Sequence, residues 1–179
     1  VMALITVLSV MNGFDRELRS RILGMAAHAT ISAVSGGLDD WQYAASVASK
    51  NKEIEATAPY IEGEGMLKSG GQLSGTLLRG VLPGQEEKVD DIATHMKQGR
   101  LDSLAAGSYN IVLGNELAQA LVEGVGDDVD LMIPQASVTP AGVLPRFRRF
   151  HISGIFSIGM YEYDRNLVLI NLTDAATLL

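Results

Sequence analysis

The side chains of this chain that could do chemistry are few and scattered. Its compact carboxylate groups are Asp127, Asp128 and Asp130, and the pair Glu162 and Asp164. Paired carboxyls do acid–base work when their surroundings hold one pKa high and the other low, and nothing beside Glu162 or Asp164 in the sequence would separate theirs. Aspartates such as those at 127–130 are common in turns in any case. His28, His95 and His151 lie far apart, with no cysteine and no paired-histidine spacing around them, so the usual zinc ligand patterns are missing. Gly63-Glu64-Gly65 lacks the third glycine of a dinucleotide fingerprint, with Lys68 in its place, and there is no Gly-Lys-Ser/Thr phosphate loop. What remains is recognition chemistry. Arg146, Arg148 and Arg149 put three of the 14 Lys and Arg residues into one four-residue window. Such a cluster is either the solvated end of a strand or an anchoring patch for a partner.

These arginines close a long stretch, Ile133 to Phe150, set between two strand-like runs. Val129 to Ile133 mixes alternation with a final apolar pair and Phe150 to Phe156 alternates again, so each reads as a half-buried strand. Between them stand Pro134, Pro140 and Pro145. Proline has no N–H to give a ladder, which places the insert at an edge or in the open. Thr139-Pro140-Ala141-Gly142 has turn chemistry, and the apex belongs near Pro140. A simple reversal needs about two to five loop residues. The surplus here reads as a projecting arm, the alternative being an unstructured loop.

Composition bounds the class. A chain of 179 residues with 47% hydrophobic content can build a core, in one domain or two small ones. A net charge of −7 opposes nucleic-acid binding, which needs a dense cationic face. The absence of cysteine fits a bacterial periplasm or a cytosol without thiol chemistry. Val1 to Met11 carries no charge, and polar residues follow at once. A span takes about twenty apolar residues, so this run is expected to be the outer half of a transmembrane helix. Phe14, Leu18, Ile22 and Met25 would continue it as an amphipathic stalk. An ordinary buried N-terminal helix is the other reading.

Along the rest of the chain, His28 to Val34 predicts a strand, and Asp39 or Asp40 caps a helix reaching about Ser49. Ile54 to Ile61, Gly65 to Ser69 and Leu73 to Val81 predict strands, the last two joined in a hairpin at Gly70-Gly71. Gln85 to Met96 reads as a surface helix whose acidic run faces solvent. Asn110 to Leu113 predicts a strand, Asn115 caps a helix to about Val122, Leu167 to Ile170 is a buried strand, and Thr173-Asp174 caps a last helix. The fold class is α+β, in two lobes.

Val7-Leu-Ser-Val-Met-Asn-Gly-Phe-Asp-Arg-Glu-Leu18 resembles the end of the first membrane helix of the lipoprotein-releasing ABC transporter permeases of the LolC/LolE type. Ile111-Val-Leu-Gly-Asn-Glu-Leu-Ala118, Gly126-Asp-Asp-Val129, Met132-Ile-Pro134 and Ile152-Ser-Gly-Ile-Phe156 are similar to their periplasmic segment, in order and over essentially the whole chain. The resemblance implies a non-enzymatic periplasmic region on the inner membrane of a Gram-negative bacterium. It would have a Porter-like α/β lobe and a Sabre-like mixed lobe, in a superfamily that includes MacB-like macrolide-efflux permeases. On that pattern residues 1–25 are the end of the membrane helix and stalk, and 26–82 begin the Porter-like lobe. Residues 83–160 form the Sabre-like lobe with a hook hairpin at 134–148, and 161–179 return to an incomplete Porter-like lobe that leaves a sheet edge or apolar face uncovered.

The resemblance also implies partners: a LolA-like lipoprotein carrier, a second permease subunit, the lipoprotein, and an ATPase dimer that binds the ATP, leaving this chain without a cofactor. Ser137 to Gly142 is similar to the tip of the hook that engages the carrier, and Pro145 to Arg148 to the segment after it. The carrier-binding set implied is Gln135, Ser137, Val138, Thr139, Pro140, Ala141, Gly142, Val143, Leu144, Pro145, Arg146, Phe147, Arg148 and Arg149. This chain departs from the family where Phe147-Arg148 replaces a Gln-Arg pair and Asp130 replaces an arginine, so a basic pad under the hook is only partly kept, with Arg146 and Arg149 as the residues that would compensate. A MacB/FtsX-like efflux or division permease is the alternative, and a small soluble enzyme using Glu162 or Asp164 a remote one.

Overall fold

The computed structural model describes residues 2, 5–14, 29–34, 36–139 and 142–179, with the backbone alone over 134–139 and 142–146. The sheet is built around strand β7, Leu167–Asn171, all five residues of which are buried. Its apolar run does not alternate because both faces are covered. Val168 and Ile170 point into one core, Leu167 and Leu169 into a second. On one side it pairs in parallel with β2, Gln72–Val81, and on the other antiparallel with β4, Asn110–Gly114. β1, Tyr60–Ser69, forms the expected hairpin with β2 around Gly70, whose φ of +53° suits glycine. With β3 (Met96–Gly99), β5 (Asp128–Thr139) and β6 (Gly142–Phe156), the order is β3-β6-β4-β7-β2-β1-β5. A further pairing of β5 with β6 closes the sheet on itself.

The helices are α1, helical over residues 5–14, then α2 Trp41–Ala48, α3 Pro83–Glu86, α4 Asn115–Leu121, α5 Tyr161–Asn166 and α6 Leu172–Leu178. Leu117, Ala118 and Leu121 of α4 join Ala175 and Leu178 of α6 in the core that contains Phe150 and Ile152. The second core is roofed by two 3-10 turns, at Ile92–His95 and Leu101–Ser103. A mixed α/β domain results.

Several expectations need correction. Residues 29–34 are not a strand, and β1 starts at Tyr60, just past Pro59. A strand is defined by its partner, and none of the described strands pairs with either segment. The surface helix over 85–96 is only the short α3, a turn and a 3-10 turn, and Glu86 and Asp90 of its acidic run are buried. Asn115 is the first residue of α4, which Gly114 precedes as cap, and Asn171 rather than Thr173-Asp174 caps α6, accepting from the Thr173 N–H at 2.9 Å. Strand pairing joins segments of the two expected lobes, β1 with β5 and β7 with β4, so the described strands make one sheet. Leu167 to Ile170 is the buried strand expected, bonded on both sides; a parallel crossover leaves no local signal for its partners.

Two helices present apolar side chains at the surface. α2 buries none of its residues, and Tyr43 and Val47 line an open groove with Ile31 and Ile54. The apolar side chains of α1, among them Val7, Val10, Met11 and Phe14, are exposed too. Leu18, Ile22 and Met25 of the expected stalk lie outside the described residues.

Candidate functional site

β5 and β6 are the longest strands, 12 and 15 residues. Their ladder begins at Asp128↔His151, passes an irregularity between Ile133 and Ser137, and ends at Thr139↔Gly142. Pairing of β5 with β1 covers only Asp130 to Met132, and pairing of β6 with β4 starts at His151. The far half of the two strands therefore pairs only with itself and forms an arm. Pro134 and Pro145 sit in that arm, where a missing N–H costs the sheet nothing. The hairpin arm stands where the sequence places it, its sides being strands and not the alternative unstructured loop. Pro140 and Ala141 lie outside the described residues, as do the side chains of Gln135, Ser137, Val138, Thr139, Gly142, Val143, Leu144, Pro145 and Arg146.

At the base of the arm the period of two sorts the side chains. Ile133, Leu131, Val129 and Phe150 point inward and are fully buried or nearly so. On the outer face Asp128 pairs with His151, its Oδ1 lying 3.0 Å from Nδ1, and Asp130 accepts from Arg149 Nε at 3.0 Å. That hydrogen bond to Asp130 pushes the Arg149 pKa further up. Met132 stands opposite Phe147, and Met66 of β1 opposite Met132. Phe147 is 58% exposed, and the row continues past Gly75, where an added Cβ would meet open space, between exposed Leu73 and Leu77 of β2.

Arg148 and Arg149 do not form one patch. Arg148 lies on the face opposite Arg149, with its guanidinium carbon 4.7 Å from the centroid of the Tyr109 ring. Arg149 is held by Asp130, the acidic residue noted above as a departure. The split follows from adjacency alone, since neighbouring strand residues face opposite ways. Tyr109 and Met66 went unnoticed in the sequence; only the strand register sets Met66 beside Met132 and Met132 beside Phe147.

A family model described as the MacB-like periplasmic core domain matches residues 1–179. This chain belongs to that family. The chain is 45% identical over 174 residues to the lipoprotein-releasing system transmembrane protein LolC of Xylella fastidiosa strain 9a5c, covering 97% of this chain and 42% of the relative. It is 39% identical over 178 residues to the LolC protein of Neisseria meningitidis serogroup B, covering 99% and 43%. With the LolE protein of Haemophilus influenzae it shares 28% identity over 183 residues, 100% of this chain and 44% of the relative. The chain thus spans less than half the length of the curated relatives it matches.

The other polar clusters of this periplasmic core domain are internal fasteners. Asp164, 3% exposed, accepts from Ser157 Oγ at 2.9 Å, Ile158 N–H at 2.9 Å and Gly159 N–H at 3.1 Å, so the carboxylate fixes the turn before α5. Asp127 caps a turn by accepting from the Gly124 N–H at 2.8 Å. His95 Nδ1 lies 2.8 Å from the Asp91 carbonyl. Among the described residues no group of three or more His, Cys, Asp or Glu could hold a metal ion. Glu86 and Asp90 are a buried pair of carboxyls: burial first, then the Asp90 charge, pushes Glu86 up to about 8. Asp90 Oδ1 accepts from the N–H of Ile92, a residue of the second core, at 3.1 Å.

Proposed function

We propose that this chain is part of the periplasmic region of the membrane subunit of an inner-membrane ABC transporter that extracts lipoproteins and hands them to a periplasmic carrier. The observation that carries this reading is the 45% identity, over 97% of the chain, to a protein named as a lipoprotein-releasing system transmembrane protein. In this reading the chain does no chemistry. ATP is bound by a separate cytoplasmic ATPase dimer, and a second permease subunit completes the complex. The region is two-lobed, and α1 belongs to a bilayer-spanning helix, an assignment supported by its exposed Val7, Val10, Met11 and Phe14. Among the described residues no helix is by itself long and apolar enough to cross a membrane.

The arm over 135–147 docks the carrier. A hairpin that pairs only with itself is free to enter a partner, and its sequence offers Val138, Pro140, Ala141, Val143 and Leu144, which carry little polar group to desolvate. Proline at 134, 140 and 145 restricts the free arm and lowers the ordering cost of binding. The test is deletion of Ser137 to Val143 in the transporter, with binding of purified carrier measured by a surface or fluorescence titration. Loss of binding with an unchanged unfolding transition is expected; unchanged affinity overturns the reading.

A further inference from the structure

Arg148 is exposed at the root of the arm, and among the described residues no carboxylate pairs with it. Its guanidinium is nonetheless held, 4.7 Å from the centroid of Tyr109. Tyr109 is itself held at its ring by Phe150 and at its backbone by His151 and Asp174. Its edge meets Phe150, with centroids 5.8 Å apart and planes at 80°. The Tyr109 carbonyl accepts from the His151 N–H at 2.9 Å. Buried Asp174 accepts from the Gly107 N–H at 2.8 Å and the Tyr109 N–H at 3.3 Å. The backbone there is in the left-handed region, φ 51°, which a residue with a β-carbon seldom adopts. Tyr109 precedes β4, whose pairing with β6 begins at Asn110↔His151, so the ring occupies the place where the sheet stops beside Arg148 and Phe150.

A guanidinium stacked on an aromatic face keeps its N–H donors at the rim, free for a carboxylate in a two-pronged contact. It has also lost its rotamer freedom before any partner arrives, which lowers the ordering cost of that contact. Arg149 is unlike this, because Asp130 already accepts from its guanidinium. We propose that Tyr109 is a positioning residue that holds Arg148 at the root of the arm for a carboxylate on the docking partner. The inference rests on the carrier-docking reading above, which already counts Arg148 among the carrier-binding residues, and adds Tyr109 as the residue that positions it.

The experiment is a double-mutant cycle in the intact transporter, with purified carrier as the probe. Arg148→Ala should weaken binding about two- to fivefold, the range of an exposed charged contact, with the loss shrinking at high salt. Tyr109→Leu should weaken it by a similar about two- to fivefold through release of the stacked cation, while Tyr109→Phe, which keeps the ring, retains wild-type affinity. In the Arg148→Ala background Tyr109→Leu should add nothing. Additive effects, or wild-type affinity in Tyr109→Leu, overturn the proposal. If Tyr109→Leu does not fold, Arg148→Lys decides: it keeps the charge without the planar stack, so weakened binding is expected and full affinity overturns the idea. Arm deletion separates the two levels. Binding lost on deletion while the cycle is additive sinks only the role of Tyr109; binding kept on deletion sinks the docking reading itself.

Discussion

Glu86 is buried against Asp90 four residues on, with Arg79 and Glu62 the other charges that act on it. Burial, followed by the Asp90 charge, raises its pKa from 4.5 to about 8; burial raises Asp90 as well, and Arg79 opposes both shifts. Both folded values lie above the unfolded ones. The pair therefore stabilises the fold fully at acid pH, and stability is lost as pH climbs from about 4.5 toward about 8. Thermal midpoints should fall across that window, and Glu86→Gln should flatten the slope; a wild-type slope in the variant would show that other groups set it. Asp164 makes the opposite kind of contact, a charge satisfied by three donors. Asp164→Ala should cost about 3 kcal/mol, since it strands buried N–H groups, measured by denaturant titration. Neither role was legible. Glu86 and Asp90 look like part of a solvated acidic run, and Asp164 like an unpartnered carboxylate, because burial and hydrogen bonds are set by residues distant in sequence.

Elements that rest on local pattern came through the sequence intact. β7 was legible as an unbroken apolar run, the β1–β2 hairpin as two runs around Gly70-Gly71, and the arm as an insert punctuated by proline between alternating flanks. Residues 29–34 and the helix over 85–96 were misread, since strand pairing and helix length there depend on partners that periodicity does not name. Close element packing is equally invisible. The Gly114 position, between β4 and α4, sits on the backbone of Asp164, and a Cβ there would collide with the Asp164 carbonyl oxygen. Gly114→Ala should therefore destabilise by about 2 kcal/mol, the usual cost of overpacking against atoms that cannot retreat. The same change at Gly75, where the space is open, should lie within about 0.5 kcal/mol of wild type. Equal losses at the two sites, read from paired unfolding curves, would contradict the packing described.

At the scale of the whole molecule, stability is uneven. β7 is bonded on both sides and buried on both faces, while α2 buries nothing and leaves Tyr43 and Val47 open. Native-state hydrogen exchange should find the amides of Leu167 to Ile170 among the slowest and those of α2 among the fastest; comparable protection would mean that α2 is covered in solution. The closed sheet has one more consequence. The arm is a continuation of two of its strands, so a pull on the tip runs along β5 and β6, at right angles to their hydrogen bonds, and loads each ladder in shear. The seam of β5 with β1 spans only Met66 to Lys68, whereas that of β6 with β4 spans Asn110 to Gly114. Under tension the shorter seam opens first, which frees β5 from the β1–β2 hairpin while β6 stays anchored through β4 to the centre of the sheet.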